Sequence, residues 1–191
     1  MSQETLEMVQ GAVIVVFFVA FCIAAGKVIY SFKNARFTKA WTPLVPIING
    51  TVAGDGGGGA TSWLTGTWQG RKVQAAMVPN RNRYSGETGP RYNYFEIQFP
   101  DVPGSQDWKV LEGYRIETKD QNLAERLQAS GILAMIERFG SVDVEYRARQ
   151  GALTYSEDVT PLWVPFPERF EQELSLLQVL ARVNGEVNSK S

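Results

Sequence analysis

Side chains able to do chemistry are sparse in this sequence. The densest group is Arg81, Arg83 and Arg91 with Tyr84, Tyr92 and Tyr94. Guanidinium forks beside aromatic rings suit phosphate, carboxylate or peptide ligands. Arg81, Arg83, Tyr84, Arg91 and Tyr92 are therefore the candidate residues for binding an anion or a partner. The plainer reading, which the sequence favours, is a solvated hairpin loop whose cations pair with Glu87 and Glu96 for little energetic gain. Two carboxylate pairs could serve acid–base chemistry: Asp143 with Glu145, and Glu157 with Asp158. The i,i+2 spacing of the first pair puts both groups on one strand face. That face alternates with Val142, Val144 and Tyr146, so it reads as the solvent side of a half-buried strand. Trp163 and Phe166 sit on the proline-stiffened stretch TPLWVPFP (160–167), which cannot enter the middle of a sheet; it either packs over the core or presents its aromatics to a partner.

Missing residue types narrow the functions further. The chain has no histidine, and its one cysteine, Cys22, lies in an apolar segment. Structural zinc, histidine general bases, and histidine-ligated haem or pigment all lack their ligands. No disulfide can form within one chain. No catalytic residue, cofactor or metal is assigned, and the domain is expected to be non-enzymatic. Net charge is −1, and Lys27, Lys33, Arg36 and Lys39 cluster just after the apolar segment, leaving the remainder mildly acidic. That balance argues against nucleic acid, which needs a basic face to displace counterions.

The segment itself, VQGAVIVVFFVAFCIAAGKVIY from Val9, has no charged or strongly polar side chain between Gly11 and Gly26. With its flanks it supplies the about 20 residues needed to cross ~30 Å of hydrocarbon. The preceding residues carry Glu4 and Glu7 and no cation, which is wrong for a signal peptide, so an uncleaved anchor is expected. The cations that follow place the N-terminus outside and the large domain in the cytoplasm by the positive-inside rule. Tyr30, Phe32, Phe37 and Trp41 interleave with those cations as an interfacial belt would. Ala20 and Ala24, and Cys22 and Gly26, repeat at four-residue spacing and form a candidate face for packing another helix.

Beyond the anchor, Pro43, Pro46 and the glycines from Gly54 to Gly59 read as a flexible tether. Strands are expected at 63–68 and 71–78 around a Gln69-Gly70 turn, at 92–99, and at 108–117 with Trp108, Val110, Tyr114 and Ile116 on a common face. Asp120 caps a helix that breaks at Ser130-Gly131 and stops at Gly140. A second hairpin spans 142–147 and 152–156. Pro167 opens a long amphipathic helix with Phe170, Leu174, Leu177, Leu180 and Val183 against Glu168, Glu171, Glu173 and Arg182 on its wet side.

The expected organisation is a tail (1–8), a transmembrane helix (9–30), a basic and aromatic juxtamembrane segment (31–42), a Pro/Gly-rich flexible linker (43–62), a soluble domain (63–187) and a short tail (188–191). The domain class is α+β: an antiparallel sheet of about six strands, two short helices and the long C-terminal helix. These features point to a non-catalytic accessory or scaffold subunit of a membrane complex, respiratory and photosynthetic assemblies being examples. Its partners would be the lipid bilayer and other membrane subunits. The alternative is a membrane-tethered sensor that binds an anionic ligand, lipid headgroup or peptide through the arginine loop.

Overall fold

A computed structural model describes residues 15–26, 38–53, 63–79, 93–111, 114–140, 142–159 and 164–188. Helix α1 covers 15–26 and a further helical turn covers 38–41. The strands are β1 (Thr51–Ala53), β2 (Trp63–Trp68), β3 (Arg71–Pro79), β4 (Asn93–Phe99), β5 (Trp108–Leu111), β6 (Arg115–Thr118), β7 (Val142–Arg147) and β8 (Ala152–Val159). The remaining helices are α2 (Gln121–Ala129), α3 (Ile132–Glu137) and α4 (Pro167–Asn188).

All eight strands form one antiparallel sheet in the order β1-β2-β3-β4-β8-β7-β5-β6. Register lines up Val52, Leu64, Ala75, Ile97, Tyr155, Val144, Val110 and Ile116 in a single row across the sheet. One residue along each strand, the opposite face carries Thr51, Thr65, Gln74, Gln98, Thr154, Glu145, Lys109 and Glu117. A period of two thus gives the sheet one apolar and one polar face. The helices cover the apolar face. α4 packs on β4 and β8, the middle pair of the sheet, while α2 packs on β6 and α4.

Local chemistry explains the boundaries. Gln69 and Gly70 both have positive φ, 48° and 82°, as a tight hairpin turn demands. Asp120 Oδ1 accepts from the backbone N–H of Asn122 at 2.9 Å and Leu123 at 3.2 Å, capping α2. Gly131 adopts φ 77° between α2 and α3. Pro167 begins α4 as expected.

The sheet departs from the expected six strands at two places. The strand expected over 108–117 is two strands, because β5 pairs antiparallel with β6 and the chain reverses between Leu111 and Arg115. Tyr114 takes φ 56° there. The segment from 43 to 53 is ordered, so the flexible linker expected over 43–62 is corrected in its first half. Thr42–Leu44 forms a 3-10 helix, β1 pairs with β2, and Leu44 and Ile48 are completely buried. Residues 54–62 lie outside the described residues. Trp41 is likewise no interfacial anchor: it is completely buried, with its ring stacked on Phe95 at 6.0 Å. Two prolines end a helix, but they do not stop Trp41, Leu44 and Ile48 from filling the core, where each contributes about 1.5–3 kcal/mol of burial.

Of the span expected over 9–30, residues 15–26 are described and are helical, whereas 9–14 and 27–30 lie outside the described residues. Among the described residues no helix is long and apolar enough to cross a membrane.

Candidate functional site

The chemistry of this domain gathers on the buried side of α4. Its stripe reads Phe170, Glu173, Leu174, Leu177, Leu180, Ala181, Asn184 and Val187, all buried. Two of these are polar, and both are fully inaccessible. Glu173 corrects the sequence expectation, which puts it on the wet side. It lies three residues after Phe170 and four before Leu177, so helical period places it in the apolar stripe whatever its charge.

Glu173 sits in a cluster with Arg169 of the same helix and Tyr155 and Glu157 of β8. Arg169 Nε donates to Glu173 Oε1 at 2.7 Å. Its Nη2 donates to the Phe139 carbonyl at 3.2 Å and to the Tyr155 hydroxyl oxygen at 3.3 Å, and lies 3.6 Å from Glu157 Oε2. The guanidinium also lies over the Phe139 ring, 4.8 Å from its centroid. The Tyr155 hydroxyl is within donating distance of Glu157 Oε2 (3.1 Å) and Glu173 Oε1 (3.3 Å), and its one proton serves one of them at a time. Glu173 Oε2 is buried with no hydrogen-bond partner among the described residues.

Burial pushes the Glu173 carboxyl up to about 7, Arg169 pulls against that, and Glu157 adds to it. Burial, reinforced by Glu173 and Glu157, likewise lifts the Tyr155 phenol well above its usual range. A carboxyl poised near neutrality beside an arginine and a phenol can hold or release a proton. It cannot touch a substrate directly, because no part of Glu173 reaches the surface. Arg169, 29% exposed, is the member of the cluster that lines a groove of about 620 Å³ between α3 and α4.

Eleven residues further along α4, Asn184 makes the opposite kind of site. Its Oδ1 accepts from the Trp108 indole N–H at 2.7 Å, and its Nδ2 donates to the Pro103 carbonyl at 2.6 Å. Beside it the Tyr146 hydroxyl lies 3.0 Å from the carbonyls of both Val102 and Gly104. Gly104 is packed so closely that a Cβ there would come within 2.7 Å of Asn184 Nδ2 and the Tyr146 hydroxyl. These bonds fasten the 102–107 loop to the sheet and to α4. A second cleft, about 820 Å³, lies outside that loop and is lined by Asp107, Lys109, Glu117, Lys119, Glu145 and Arg149 among others. Its acids already have partners: Asp107 accepts from the Ala148 N–H, Glu117 pairs with Lys109 and Arg115, and Glu145 pairs with Arg147.

The residues singled out from sequence fall elsewhere. Arg81, Arg83, Tyr84, Arg91 and Tyr92 lie outside the described residues, as does Trp163. Phe166 is 77% exposed, while its carbonyl accepts the Phe170 N–H at the start of α4. Ala20, Cys22, Ala24 and Gly26 are exposed on α1. Ala20 and Ala24 form one line and Cys22 and Gly26 another, since residues two apart do not share a helix face. Asp143 and Glu145 stand on the polar face of the sheet, opposite Ser156 and Thr154. Glu157 and Asp158 point to opposite faces, and Glu157 alone of the four carboxylates joins the buried cluster. Among the described residues no group of acids and cysteine is placed to hold a metal ion.

No protein-family model matches the chain, and no curated protein or solved structure matches it either.

Proposed function

We propose that this chain is a non-catalytic accessory or scaffold subunit of a membrane protein complex, anchored by a single transmembrane helix over 9–30. The observation that carries the reading is the surface of α1. Val15, Val16, Phe17, Phe18, Val19, Phe21 and Ile23 are each 50–73% exposed. These side chains run around the whole helix, without the polar stripe that a helix resting on a water-facing surface would keep. Leaving seven such groups in water would cost on the order of 10 kcal/mol, which lipid or a partner helix removes.

Lys27, Lys33, Arg36 and Lys39 after the helix support a cytoplasmic position for the domain. The domain itself gives reasons for a binding rather than a catalytic role. The chain has no histidine, its cysteine is on α1, and the one carboxyl raised to about 7 among the described residues is sealed from solvent. The polar sheet face, eight strands wide, offers a second subunit a surface rich in hydrogen-bonding groups.

The test is mild detergent extraction followed by native-size analysis and identification of what co-purifies. The expected result is membrane-pelleted protein that resists carbonate washing and migrates with other subunits. Release by carbonate, or a lone monomer with nothing bound, would reject the reading.

A further inference from the structure

We propose that the groove between α3 and α4 binds a small singly charged amphiphile, a monocarboxylate with an aliphatic body, through Arg169. The head would meet the Nη1 edge of Arg169, and the body would lie along Met135, Phe139, Leu176 and Val179. This site does not depend on how the chain is anchored.

Three observations converge on that ligand. First, Arg169 is held on two edges and one face: Nε by Glu173, Nη2 by the Phe139 carbonyl and Tyr155, and the plane by the Phe139 ring. Nη1 donates to nothing among the described residues, and the side chain is 29% exposed on the groove wall. A guanidinium already fixed in place loses little freedom when it takes a carboxylate. Second, Arg138 lines the same groove and makes no ion pair among the described residues. Third, the groove holds about 620 Å³ and sets four apolar side chains, Met135, Phe139, Leu176 and Val179, beside both arginines, so one ligand can meet an apolar surface and a cation together.

The surrounding charges select the head group. Glu168 and Glu171 stand at the groove, and Glu157 and Glu173 lie behind Arg169. Two cations against four carboxylates favour a monoanion over a dianion such as a phosphate monoester. They also couple binding to a proton. A ligand carboxylate and the Glu173 carboxylate compete for one guanidinium, so occupancy favours protonation of Glu173, and protonation favours occupancy. The groups facing Glu173 are Arg169 on its own helix and Tyr155 and Glu157 on β8. At the groove itself Arg138, Glu168 and Glu171 contribute at longer range.

The experiment measures octanoate binding to the full chain in neutral phosphatidylcholine nanodiscs by equilibrium dialysis, with empty nanodiscs as the blank. Octanol, acetate and octyl phosphate are run beside it. Octanoate is expected to bind above the blank, and octanol and acetate at least about tenfold more weakly, since each lacks one half of the recognition. Its affinity should fall as pH rises from 6 to 8. E173Q should bind octanoate about five- to tenfold tighter at pH 8 and lose most of the pH dependence. R169M should abolish binding; should R169M fail to fold, the gain in E173Q decides alone. Binding no greater than the blank would overturn the proposal, as would equal binding of octanol or tighter binding of octyl phosphate. An E173Q variant indistinguishable from the parent would overturn the proton coupling and with it the role given to Arg169.

Discussion

Glu173 and Asn184 occupy equivalent places on one helix, yet they behave as opposites. Both lie in the buried stripe of α4, about 16 Å apart along its axis. Asn184 uses both ends of its amide, joining an indole N–H to a carbonyl at 2.7 and 2.6 Å. Glu173 keeps one oxygen without a partner among the described residues, and burial lifts its carboxyl to about 7. A satisfied buried amide locks a structure, whereas an unsatisfied buried acid leaves it responsive to protons and ligands. One end of α4 is therefore a fastening and the other an adjustable joint.

Breaking the fastening should have the largest effect. N184A strands the Trp108 indole and the Pro103 carbonyl without partners, and should destabilise the domain by about 2–4 kcal/mol in urea denaturation of the full chain in mild detergent. G104A drives a methyl group against Asn184 and Tyr146 and should cost about 1–3 kcal/mol by the same measurement. If both were neutral, the Asn184 end would be no tighter than the Glu173 end.

The Glu173 end should instead show a pH signature. Its carboxyl titrates near 7 in the fold and near 4.5 when solvated. Between those values the folded state therefore binds more protons than the unfolded chain. The stabilisation is complete below 4.5 and is lost as pH rises through 7, a decline of about 1–3 kcal/mol. E173Q should flatten that slope and be at least as stable as the parent at pH 8. N184D would sharpen the contrast by placing a second buried acid at the satisfied site, where a steep loss of stability with rising pH is expected. The smallest change belongs to R182A. The Arg182–Glu186 pair spans 4.0 Å with side chains 71% and 66% exposed, so losing it should shift stability by less than about 0.5 kcal/mol.

Much of this arrangement is legible in the sequence where local chemistry decides. The Gln69-Gly70 turn, the Asp120 cap, Gly131 and Pro167 each mark a boundary that the structure keeps, because backbone conformation there depends on the residue itself. The differences arise where tertiary packing overrides a local signal. Prolines and glycines after Lys39 suggest a tether, yet Trp41, Leu44 and Ile48 supply enough apolar surface to order the segment. Glu112-Gly113 punctuates 108–117, but the alternation of Trp108, Val110, Tyr114 and Ile116 runs on across the reversal and conceals it. For Glu173, charge and helical period disagree. Period is the better guide, because three turns of flanking Phe and Leu fix which side of the helix faces inward. The i,i+4 spacing of Arg169 and Glu173 on one helix is a signal for their pairing, whereas the partnership with Tyr155 has none, since it joins α4 to a strand through the fold alone.

The sheet order also carries a consequence for how the chain is made. β1 to β4 form one meander and β8, β7, β5 and β6 the other half, and the two meet only where β4 zips to β8. Phe99 must therefore wait for Leu153, its partner across that seam, before the edge of β4 is closed. During synthesis a half-built sheet keeps an open, hydrogen-bonding edge until β8, in the last quarter of the polypeptide, emerges. Such an edge is an invitation to mispairing between neighbouring chains. Premature termination before Leu153 would release that hazard permanently.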